Sequence, residues 1–164
     1  MILKTAGFMW HRKFVNWSRR ELLGHPESGG GIPTNFADQS AIYGLYDVSQ
    51  ACVYIGQAGK GGTSCLFERL RTHALDDHLF CFWERFTWFG LFSAEQLTRE
   101  EWSDPLISSL SVVDALNNLE SMATYLALPR FNRRFGSGFE HVEWYYQKEE
   151  YDVERKKNTS KHGT

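Results

Sequence analysis

Two tyrosines, an arginine, a histidine and a glutamate in this 164-residue chain have the types and spacing that chemistry needs. Tyr43 and Tyr54 fall in stretches rich in Val, Ile and Tyr, 41–46 and 53–55, which suit a pleated, half-buried surface. Asp47 to Cys52 between them is short enough for an antiparallel hairpin loop. A symmetrical loop sets Tyr46 against Ala51 and therefore Tyr43 opposite Tyr54, with Cβ atoms roughly 5 Å apart on one face. A slip of one residue would separate the phenols. Arg69 and His73 stand four apart and so stack on one face of a helix. A guanidinium offers fixed charge and paired donors to phosphate oxygens, and an imidazole exchanges a proton near neutral pH. A phenol ionises only near pH 10, about, so it needs help to act as a base. Glu120 falls within the apolar arc of a later helix, where a carboxylate is costly unless paired, protonated or bound to a cation.

The elements that must hold these groups are readable from periodicity. At about 100° per residue, Leu66, Phe67, Leu70 and Ala74 share one side of a helix and Glu68, Arg71 and Thr72 the other. Arg69 and His73 occupy the shoulder. Thr63 or Ser64 caps this helix after the glycine-rich GQAGKGGTS. That run fails as a phosphate-binding P-loop, because Gly61 is followed by Gly62 where a lysine is required. Lys60 contacts either a phosphate or solvent, and His78 lies either in the groove or at the surface. A third strand spans Thr87 to Phe92. Residues 93–109 are acidic and broken by Pro105, hence loop or short helix. A second helix covers Ser111 to Leu128, with Ser111 as N-cap and Val112, Ala115, Leu116, Leu119, Ala123 and Leu126 as its apolar arc. At the border of that arc, Glu120 reads equally as a salt-bridged or snorkelling core-boundary residue. Asn132, after Pro129, reads as a turn residue.

Composition sets outer bounds. An apolar fraction of 42% and aromatics at 15% exclude a disordered chain. No apolar run reaches the roughly 20 residues of a membrane span, and the start of the chain does not resemble a secretory signal. Cys52, Cys65 and Cys81 suit a reducing, cytoplasmic setting and argue against a disulfide framework. The net charge of −2 gives no global case for nucleic acid. Locally, Lys4, Arg12, Lys13, Arg19 and Arg20 face only Glu21 within residues 1–24, and Arg130, Arg133 and Arg134 form a second cluster. Local basic patches suffice to hold a phosphate backbone. The first segment interleaves Trp and Phe with these cations, which suits nucleic acid, packing over a core edge, or a protein partner. The expected division is an aromatic, basic extension with a Gly/Pro loop (1–40), a central domain (41–139) and a C-terminal extension (140–164).

Within the central stretch, Ala41-Ile42-Tyr43, Tyr54-Ile55-Gly56 and Leu66-x-x-Arg69-Leu70-x-x-His73 resemble, in order and spacing, the signature of the GIY-YIG nuclease family. The resemblance covers roughly residues 41–135. It implies an α/β fold, with a small central, mainly antiparallel three-stranded sheet flanked by helices. It implies a divalent-metal-dependent endonuclease acting on DNA, leaving 5′-phosphate and 3′-hydroxyl ends, in restriction, defence, mobile elements or repair. Tyr43 matches the general base, with Tyr54 beside it and Gly56 closing the motif. Arg69 matches the phosphate-binding arginine and Glu120 the single ligand for Mg2+ or Mn2+. Asn132 matches a supporting asparagine, with Lys60 and His78 as further substrate contacts. Double-strand cleavage with one site per chain would call for a homodimer. The alternative is a nucleic-acid-binding or adaptor module with weak or no catalysis. Two departures stand out: Ala41 replaces the usual glycine, and Cys52-Val53 offers no lysine before Tyr54.

Overall fold

Short runs of Val, Ile, Thr and aromatic residues supply most of the strands in the described chain. The structure, a computed structural model, describes residues 3–29, 31–59, 65–75, 78–98, 122, 125–127, 142–149 and 151–152. Seven strands are β1 (Thr5–His11), β2 (Leu23–Pro26), β3 (Thr34–Asn35), β4 (Ala41–Tyr46), β5 (Cys52–Ala58), β6 (Arg85–Gly90) and β7 (Glu143–Gln147). They form one sheet in the order β3-β2-β7-β1-β6-β4-β5. Only β1 and β7 pair parallel; all other neighbours run antiparallel. Two α-helices are described over their length, α1 (Leu66–Leu75) and the single-turn α2 (Ala94–Thr98).

This corrects the expected architecture. The protein is mainly β, one seven-stranded mixed sheet with a single helix of seven or more residues among the described residues, and not a three-stranded sheet flanked by helices. The physical reason lies in β1. Its alternation breaks at Met9, which adopts a left-handed φ of 54°, and the register against β6 shifts between Gly7 and Trp10. This β-bulge re-aims Trp10 into the core and blurs the period-two signal. The Thr87 hydroxyl accepts from the Met9 amide at 3.1 Å, and Arg85 donates to the Met9 carbonyl at 2.8 Å, holding the distortion in place. Strands β2, β3 and β7 are too short to show a period.

One face of the sheet carries Trp10, Tyr43, Leu45, Phe86, Trp88 and Tyr145 under α1. The other carries Ala6, Phe89 and Val142 with Met122 and Leu126. Met122, Tyr125, Leu126 and Ala127 are helical, and the rest of the expected second helix lies outside the described residues. Helix α1 buries Leu66, Phe67, Leu70, His73 and Ala74, the apolar side expected with His73 added. Full burial of Leu70 alone contributes roughly 1.5–3 kcal/mol. The carbonyls of Gln39 and Ala37 accept from the amides of Leu66 and Phe67, satisfying the helix start. At the other end, Arg12 donates to the Ala74 carbonyl at 2.8 Å. Thr63 and Ser64, the expected caps, lie outside the described residues.

Candidate active site

The hairpin β4–β5 and helix α1 bring four side chains together. Asp47 organises the turn: its Oδ1 accepts from the Ser49 amide, the Ser49 hydroxyl and the Ala51 amide at 2.7–3.0 Å. Tyr46 then pairs with Cys52, and a bulge follows, so Leu45 pairs with Tyr54 and Tyr43 with Gly56. The expected direct pairing of Tyr43 with Tyr54 is therefore corrected. The loop contributes one residue of offset and the bulge a second, and two offsets restore the parity of the pleat. Both rings still share a face, as diagonal neighbours with centroids 6.2 Å apart.

Gly56 makes that packing feasible. A Cβ built there would lie 2.5 Å from the Tyr43 hydroxyl and 2.7 Å from Cε1 of Tyr54. The Tyr43 ring lies across this bare backbone and reaches α1, where its hydroxyl meets Nε2 of His73 at 2.9 Å. His73 is buried, its ring 4.7 Å from that of Tyr54. Its carbonyl accepts from the Trp83 indole at 3.2 Å. Trp83 fixes this turn of α1 and was not foreseen, because the contact spans a loop that carries no periodic signal.

Arg69 sits one turn before His73, half-buried, beside the two phenols. Interaction with the Tyr43 hydroxyl, then its proximity, outweighs burial and holds the guanidinium more firmly charged than usual. Its Nε is buried without a hydrogen-bond partner among the described residues, a donor free for an anion. Tyr43 is fully covered. Burial, with Tyr54 next, pushes its pKa up to about 12 despite the opposing pull of Arg69. The nearby cation therefore does not produce a phenolate: at neutral pH about one Tyr43 in 10^5 is ionised. Tyr43 can move a proton only in concert with a partner.

Of the remaining expected residues, His78 is exposed in the turn after α1. Lys60, Glu120 and Asn132 lie outside the described residues. Near Glu120 in sequence, Met122 and Leu126 are buried and Ala127 is exposed. The Tyr46 hydroxyl donates to the Leu126 carbonyl at 2.7 Å, tying that helical turn to β4. Among the described residues no group of three or more His, Cys, Asp or Glu is placed to hold a metal ion. Tyr43, Tyr54, Arg69 and His73 include no carboxylate, so these four side chains by themselves do not make a divalent-cation site. No described helix is long and apolar enough to cross a membrane.

No family model, curated protein or solved structure matches the chain. The resemblance to the GIY-YIG nucleases thus rests on the motif residues alone, since the fold it implied is not the one found.

Proposed function

We propose that this protein is a phosphodiester hydrolase acting on nucleic acid, with DNA as its substrate. The observation that carries the reading is the 2.9 Å contact of the Tyr43 hydroxyl with His73 Nε2, beside an arginine with a spare buried donor. In the reaction Arg69 holds two non-bridging phosphate oxygens and offsets the charge that grows on them. A water oxygen attacks phosphorus as its proton passes to the Tyr43 oxygen, while the Tyr43 proton moves to His73 Nε2. The bond from phosphorus to the leaving oxygen breaks, and that oxygen takes a proton from solvent. Concerted transfer suits a phenol that resists ionisation, since no free phenolate forms. Tyr54, half-buried above the pair, closes the aromatic wall. A divalent ion, which the resemblance assigns to Glu120, would supply Lewis-acid stabilisation of the leaving oxygen.

The test is cleavage of plasmid, single-stranded DNA and RNA with Mg2+ or Mn2+, comparing Tyr43→Phe, Arg69→Ala and Glu120→Ala. Each variant is expected to lose on the order of 10^2–10^3 in rate. Undiminished cleavage by Tyr43→Phe would refute the relay. Equal cleavage by Glu120→Ala would remove the metal assignment.

The full burial of Tyr43 favours a second reading, a nucleic-acid-binding module without catalysis. Retained DNA binding with no cleavage under either metal, lost in Arg69→Ala, would select it.

A further inference from the structure

On the face of the sheet opposite α1, the side chains that line one groove share a single electrostatic character. A groove of about 370 Å3 is lined, among the described residues, by Phe8, Tyr125, Trp144, Tyr145, Tyr146 and Glu27. Tyr145 turns its ring to the α1 face and borders the groove with its backbone, so four aromatic rings and one carboxylate face the groove. Parallel pairing of β1 with β7 sets Ala6 beside Trp144 and Gly7 beside Tyr145. Phe8 and Tyr146 line the same groove. Tyr125, on the helical turn above, packs edge-on against Phe8 at 5.6 Å and tilted against Trp144 at 5.0 Å. Phe8 and Tyr146 each keep more than a third of their surface exposed, so the walls are accessible. Glu27 is exposed, accepts from the Tyr146 hydroxyl at 3.2 Å, and forms no ion pair among the described residues. Its charge reaches the groove: after burial, it is the second cause that pushes the Tyr125 phenol up.

Ring faces carry negative potential, and so does the carboxylate. No lysine or arginine among the described residues lines the groove to offset them. These described walls favour a cation over a phosphate-bearing ligand, and a neutral apolar one would leave the carboxylate unused. A soft, weakly hydrated cation satisfies both walls. We propose that this groove is a binding site for an alkylated ammonium group, seated against Trp144, Tyr146 and Phe8 with Glu27 as counter-charge. It lies on the face away from Tyr43 and does not depend on the nuclease reading.

Choline chloride and its neutral carbon isostere neohexanol are titrated against the whole protein, with binding read by saturation-transfer proton NMR. Choline is expected to bind at least about fivefold more tightly than neohexanol. Glu27→Gln, which keeps an acceptor for Tyr146, should weaken choline about threefold to fivefold. Phe8→Ala, at an exposed position, should weaken it by a similar factor, with circular dichroism confirming the fold. Equal binding of choline and neohexanol, an unaltered choline affinity in Glu27→Gln, or no choline binding would each overturn the proposal. So would occupation by adenosine monophosphate in preference to choline, which would make the groove a base-stacking surface.

Discussion

Replacing Gly56 by Ala tests the site with one methyl group. The added Cβ would lie 2.5 Å from the Tyr43 hydroxyl, 2.6 Å from Tyr43 Cζ and 2.7 Å from Tyr54 Cε1. Neither ring can retreat freely, since Tyr43 is fully buried and Tyr54 packs on His73. Overpacking of this kind costs about 1–3 kcal/mol. Swinging Tyr43 aside also breaks its bond to His73, adding about 1 kcal/mol. Against this, Ala restricts the unfolded chain and returns about 0.4–1 kcal/mol. The net expectation is a loss of about 1–3 kcal/mol, measured by urea denaturation at neutral pH. The distinctive part is the coupling. Tyr43→Phe already lacks the hydroxyl bond, so the double variant should be less destabilised than the sum of the singles by on the order of 1 kcal/mol. Strict additivity, or a Gly56→Ala protein as stable as the parent, would refute the claim that this glycine exists to let Tyr43 reach His73.

Alkaline titration gives a second expectation. Burial raises the Tyr43 pKa to about 12 and shifts Tyr46 and Tyr145 in the same direction. A proton retained more tightly when folded gives stability that is complete below about pH 10 and lost as pH rises through about 12. With Tyr125 also raised, phenolate absorbance should show four tyrosines titrating later than usual among the described residues, and Tyr43→Phe should remove one; a single ordinary transition would contradict the burial. Arg12→Ala should destabilise by about 2–4 kcal/mol in urea denaturation, because its guanidinium donates to the carbonyls of Ala74, Phe80 and Trp83 and lies over two rings. A loss under about 0.5 kcal/mol would show that solvent replaces those donors.

What the sequence disclosed followed the strength of local periodicity. Helix α1 was legible because Leu66, Leu70 and Ala74 repeat at helical spacing, and the same wheel set Arg69 and His73 side by side. Hairpin β4–β5 was legible from its β-branched and aromatic runs. The pairing of Tyr43 was not, because the bulge beyond Cys52 follows from turn geometry. The place of Thr5–His11 in the middle of the sheet was hidden by the left-handed Met9, and β7 by its brevity. The protonation of Tyr43 depends on how completely its neighbours cover it, which a wheel or a pleat does not report.

The parallel seam between β1 and β7 has a consequence for how the molecule is made. The Trp10 indole N–H donates a hydrogen bond to the carbonyl of Tyr145, 135 positions away. During synthesis on the ribosome β1 emerges well before β7, so its β7-side edge stays unpaired until residue 147 is out. Such long-range closure folds slowly, and a waiting, aromatic-rich edge invites association with neighbouring chains.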